Sequence, residues 1–125
     1  MRLRVAAAAA LVGLAAAGVA GAHPSSSSRA PSRLLVAGRE YSLQLSRGAV
    51  KRGPALIQFV NRGEDPHDLR LRRFGAQRAV SVPEVRAGGL AQFETRLGSG
   101  RYHLWCSLPG HEERGMRAVL KVRSR

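Results

Sequence analysis

The chain has 125 residues and carries 21 Lys and Arg against 8 Asp and Glu, a formal net charge of +13. Charge of this sign invites a nucleic-acid partner, but no basic-aromatic motif accompanies it and the chain opens like an exported protein. The basic residues, nearly all arginine, therefore read as a solvated surface that attracts acidic partners or anionic surfaces.

Residues 1–22 have the pattern of a secretory signal peptide. "MRLR" is a short basic start, "VAAAAALVGLAAAGVA" is an uncharged apolar run, and "AGA" offers small residues for cleavage before His23. The run is also long enough for an uncleaved membrane anchor, but its alanine content favours cleavage. The expected location is the periplasm, the cell envelope or the exterior. Residues 23–32, "HPSSSSRAPS", have no large apolar side chains to bury and read as a flexible linker. Residues 33–125 are left for one domain with one modest core.

Short alternating runs follow, separated by glycine-rich turns. "YSLQLS" (41–46) sets Tyr41, Leu43 and Leu45 on one face, and "ALIQFV" (55–60) pairs Ile57 with Phe59. "HDLRLR" (67–72) alternates His67, Leu69 and Leu71 against Asp68, Arg70 and Arg72. "AQFETRL" (91–97), "RYHLWC" (101–106) and "MRAVLKV" (116–122) complete the set. Alternation with period two argues half-buried strands, and no helical period is sustained after residue 22. The expected fold class is all-β: a single antiparallel, Greek-key sandwich of about seven to eight strands.

The only cysteine, Cys106, lies in "WCSLPGHEERGM", five residues before His111 and ten before Met116. An unpaired thiol outside the cytoplasm needs an explanation. With His67, these residues offer two imidazoles, a thiolate and a thioether, the donor set of a blue-copper electron-transfer site. Strand phase agrees. His67 is in phase with Leu69 and Leu71, Cys106 with Tyr102 and Leu104, and Met116 with Ala118, Leu120 and Val122, so three candidate ligands point inward. His111 falls on the loop, where Pro109-Gly110 permits a tight turn. A structural zinc site would want Cys or His in place of Met116.

"NRGEDPHDL" followed by "YHLWCSLPGHEERGM" resembles the cupredoxins, the plastocyanin- and azurin-like blue copper proteins. The resemblance runs from about Tyr41 to the C-terminus, with a ligand loop closest to rusticyanin-like bacterial cupredoxins. It implies one type 1 copper ion held by His67, Cys106, His111 and Met116, and a function in single-electron transfer. It also implies that Asp68, where the family usually has Asn, ties the His67 strand to the backbone at Ser107, and that the Pro66 carbonyl faces the metal opposite Met116. Trp105, in the opposite phase to Cys106, should face outward, either as an electron route or packed under a loop. His103 shares that face as a solvated side chain. Five of the eight acidic residues (Glu64, Asp65, Asp68, Glu112 and Glu113) lie in or beside the two ligand segments, making that end less positive than the body.

The expected partners are redox proteins, acidic or membrane-bound, and the expected state is a monomer without nucleic acid. A copper carrier or buffer on the same site is the rival reading. Copper enzymes typically need further sites built on His-x-His pairs; the chain has four histidines and no such pair, so no enzymatic activity is expected.

Overall fold

The structure, a computed structural model, describes residues 29–124; the expected signal peptide and residues 23–28 of the linker lie outside the described residues. The alternating runs become strands, and no helix occurs among the described residues. In chain order these are β1 (Ser32–Arg39), β2 (Ser42–Leu45), β3 (Ala49–Lys51), β4 (Gly53–Asn61), β5 (His67–Arg73), β6 (Val80–Val85), β7 (Leu90–Leu97), β8 (Gly100–Trp105) and β9 (Arg117–Arg123). One sheet has the order β2-β1-β4-β7 and the other β3-β9-β8-β5-β6.

The all-β sandwich agrees with the sequence, but with nine strands and two parallel pairs among the described residues, β1 with β4 and β3 with β9. The additional strands β1, β3 and β6 have local reasons for escaping notice. In β1 the run "LLVA" masks the alternation that burial reveals, with Leu34 and Val36 buried and Leu35 and Ala37 only partly so. Strand β3 has three residues. Strand β6 contains Pro83, which cannot donate to a ladder and is tolerated because β6 is an edge strand.

The core lies between the sheets. Leu34, Val36, Ile57 and Phe59 from one face meet Leu69, Leu71, Leu104 and Leu120 from the other, each almost wholly removed from water. Register stacks them in rows: Val36 pairs with Phe59, Leu34 with Ile57, and Leu71 with Leu104. Because β5 runs antiparallel to β8, and β8 to β9, the start of β5, the end of β8 and the start of β9 fall at one end of the sandwich. His67 opens β5, Cys106 follows β8 and Met116 precedes β9.

The loop from β4 to β5 is organised by Asn61, which is fully buried. Its side-chain amide donates to the carbonyls of Asp65 (2.7 Å) and Val85 (2.9 Å), and its Oδ1 accepts from Gly63 N–H (2.9 Å). Its own backbone pairs with Gly88 and Gly89. Asn61→Ala would leave two carbonyls and an N–H without these partners. The expected loss is about 2–4 kcal/mol, measured by denaturant unfolding of the metal-free protein. A loss under about 0.5 kcal/mol, less than one net hydrogen bond, would mean the loop is held by other contacts.

Candidate metal centre

The strand ends deliver three donors to one point. Ligand atoms of His67, Cys106 and His111 all lie within 4.8 Å of one another. The two imidazoles face each other through Nδ1 at 3.2 Å, and Cys106 Sγ is 3.6 Å from His111 Nδ1. His67 and Cys106 are fully buried, whereas His111 is partly exposed. Met116 is also fully buried. Its N–H donates to the His111 carbonyl (3.0 Å), and its carbonyl accepts from Cys106 N–H (3.1 Å), so the backbone draws Met116 against both. Gly38 in β1 makes room for it: a Cβ there would stand 2.8 Å from the Phe59 ring and 3.1 Å from Met116 Cε.

The loop that carries His111 is ordered by its own hydrogen bonds. His111 N–H donates to Leu108 (3.1 Å), Arg114 N–H to Gly110 (3.3 Å) and Gly115 N–H to Glu112 (2.9 Å). The His111 ring meets Tyr41 edge-on with centroids 5.1 Å apart. Arg114 lies over the same tyrosine ring at 4.8 Å and donates to its hydroxyl at 2.8 Å. Tyr41, in the turn after β1, thus braces the loop from the opposite sheet.

Asp68 makes the tie that the resemblance implied. It is buried, and its Oδ1 accepts from Ser107 N–H at 2.6 Å while its Oδ2 accepts from the Ser107 hydroxyl. Arg70 Nε approaches Oδ2 at 3.4 Å. The residue after His67 is therefore fastened to the residue after Cys106. Burial pushes the Cys106 thiol above its ordinary value, so in the metal-free protein the sulfur keeps its proton at neutral pH.

Nothing in the sequence around Glu40 marks it as part of the site. It sits in the turn between β1 and β2, 27 residues before His67 and with no local pattern around it. Its Oε1 is 2.7 Å from His67 Nε2 and also accepts from the N–H groups of Glu64 (3.0 Å) and Asp65 (2.8 Å). These bonds, the one from Asp65 foremost, hold its carboxyl at about 2, against an ordinary 4.5. On the outer sheet face Trp105 points away from Cys106, as its phase required. It is not bare: it stacks on His103 with centroids 4.8 Å apart and the planes 15° from parallel, and Arg72 lies over its ring. His103 is not simply solvated either, because its Nε2 meets Glu112 Oε1 at 2.6 Å and ties β8 to the ligand loop.

The donor set fits a metal ion. Atoms bound to one ion by bonds of about 2.0–2.3 Å stand roughly 3–4 Å apart, and His111 Nδ1 lies 3.2 Å from His67 Nδ1 and 3.6 Å from Cys106 Sγ. A thiol and two imidazoles beside a thioether are also the chemistry copper prefers over zinc.

No protein-family model matches the chain, and no curated protein sequence matches it. Solved structures do. Auracyanin A, a "blue" copper protein from Chloroflexus aurantiacus, is similar with a TM-score of 0.61 and 15% identity, over 75% of this chain and all (100%) of its own. Reduced rusticyanin aligns with a TM-score of 0.58 and 17% identity over 73% of this chain and 78% of its own. A multicopper oxidase aligns with a TM-score of 0.58 and 13% identity over 76% of this chain and 45% of its own. At these identities the likeness establishes the fold: the chain has the cupredoxin sandwich.

The depressed carboxyl of Glu40 predicts a stability window. A carboxylate whose folded value lies below its unfolded one stabilises the fold fully above about 4.5 and loses that contribution as pH falls toward about 2. In the metal-free protein, the stability difference between the natural chain and Glu40→Gln should shrink as pH falls across that window. Denaturant midpoints measured at several pH values check it, and a difference that grows on acidification would contradict the assignment.

Proposed function

We propose that this protein carries single electrons outside the cytoplasm, on one type 1 copper ion held by His67, Cys106, His111 and Met116. The observation that carries this reading is the convergence of a buried thiol and two imidazoles within 4.8 Å at one end of a cupredoxin sandwich. Bound copper would supply a one-electron Cu(I)/Cu(II) couple. The remaining work falls to the chain. Cys106 gives up its proton to become a thiolate ligand. The Asp68–Ser107 tie and the Tyr41–Arg114 brace hold the ligand segments in one arrangement for both charge states, which lowers the cost of electron exchange. With all four positions supplied by protein, none is left open for a substrate, which argues against an enzyme.

The proposed organisation is a cleaved signal peptide over residues 1–22, a linker that ends where β1 begins at Ser32, and the copper domain from there to residue 125, working as a monomer in the periplasm or at the cell envelope. Redox proteins with acidic or membrane-associated faces are the proposed partners, given the arginine-rich surface, with no role for nucleic acid. Trp105, bonded through the chain to Cys106 and set in the outer sheet face, is the proposed route for the electron.

Loaded with Cu(II), the protein should be intensely blue or green from thiolate-to-copper charge transfer. Cys106→Ser should abolish the band while far-UV circular dichroism stays that of a β-sandwich; unchanged colour in the variant would sink the assignment.

Copper delivery is the competing use of the same site, and the two differ in what happens on reduction. The hydrogen-bonded loop around His111 supports retention. Repeated cycling between oxidised and reduced forms beside a moderate Cu(I) chelator should leave copper bound, with fast, salt-sensitive electron exchange to a charged redox protein. Prompt loss of copper at each reduction would make delivery the function.

A further inference from the structure

Beside the four proposed ligands lie the Asp68–Ser107 tie, the Trp105–His103 stack and the carboxylate of Glu40. Asp68 follows from the resemblance and Trp105 belongs to the proposed electron route. Glu40 has no such precedent in the sequence.

His67 is fully buried, so both ring nitrogens must be answered within the protein. Nδ1 faces His111, and Nε2 faces Glu40 at 2.7 Å. Glu40 is held in place without help from the ring. Its Oε1 accepts from two successive backbone N–H groups, those of Glu64 and Asp65, and its Oε2 lies 3.2 Å from Glu64 N. Gly63 completes the cradle, since a Cβ at that position would land on the carboxylate. A carboxylate fixed this way can only accept a hydrogen bond, so it requires the proton of neutral His67 to sit on Nε2. The lone pair is then left on Nδ1, the nitrogen aimed at Cys106 and His111.

We propose that Glu40 is a positioning residue for the metal centre: it selects the Nδ1-ligating tautomer of His67 before any metal arrives and places a negative charge behind that ligand. This rests on the reading of the site as a copper centre. A carboxylate behind a ligating imidazole makes the ring a stronger donor and orients it, and loss of such a partner typically lowers metal affinity by about 10–100-fold. The negative charge also favours Cu(II) over Cu(I), so it holds the reduction potential down. Because Glu40 comes from the turn after β1 and His67 from β5, the contact also joins the two sheets.

Two variants separate charge from geometry. Glu40→Gln keeps an oxygen at the Oε1 position, where it can accept the same three hydrogen bonds, and removes the charge, at the cost of the longer 3.2 Å contact from Glu64 N–H, which would meet the amide nitrogen. Glu40→Ala removes the acceptor. Nitrogen-15 correlation spectra of the metal-free protein at neutral pH should show the His67 proton on Nε2 in the natural chain and in Glu40→Gln, and a mixture of tautomers in Glu40→Ala. With copper bound, Glu40→Gln should have a higher reduction potential than the natural chain, and Glu40→Ala should bind Cu(II) about 10–100-fold more weakly. A purely structural Glu40 would leave the Glu40→Gln potential where it was, and that result would overturn the proposal. So would a natural chain whose His67 proton sits on Nδ1 or exchanges between the nitrogens. Should Glu40→Ala fail to fold, the natural chain and Glu40→Gln still decide the matter. A natural chain that takes up no copper would defeat the copper reading instead, and the position of the His67 ring proton would still decide whether Glu40 sets the tautomer.

Discussion

A buried imidazole with both nitrogens answered is the constraint on which this end of the sandwich depends. His67 is removed from water by the two sheets, and an unpaired ring nitrogen there would carry a desolvation penalty of about 1–3 kcal/mol. The carboxylate of Glu40 answers one nitrogen from the opposite sheet. To do so it must sit among the backbone N–H groups of Glu64 and Asp65, which requires glycine at position 63 and a loop pinned by Asn61. Several residues that look unrelated along the chain thus serve one ring orientation.

The same economy holds on the Cys106 side. Asp68 is next to His67 in sequence and bonds Ser107, which is next to Cys106, so one carboxylate couples the two ligand segments. Tyr41 follows Glu40 directly and braces the ring of His111. Two adjacent residues of one turn therefore touch the two histidines from different sides. The three donors are gathered by contacts that exist without metal, consistent with a site whose shape varies little with the charge it holds.

Polarity is distributed to match. Glu64, Asp65, Asp68, Glu112 and Glu113 are already grouped by sequence around the ligand segments, and folding brings Glu40 to the same place. On the adjoining sheet face, Arg72, Trp105 and His103 form a stack that Glu112 anchors to the ligand loop. The proposed electron route thus lies where an arginine-rich face meets the more acidic end of the molecule.

Read alone, the chain carries the all-β class, the phase of His67, Cys106 and Met116, and the candidate donor set. Period-two alternation and donor chemistry are local properties, readable over a few residues. It did not determine the parallel pairing of β1 with β4 and of β3 with β9, nor the short and edge strands β3 and β6, because pairing depends on partners far away in the chain. Nor did it indicate Glu40, a turn glutamate whose partner lies 27 residues on, or the fastening of the His111 loop through Tyr41 and Arg114. Each of these arises where two sheets close over a core and polar atoms buried there must find whatever partner the packing puts within reach.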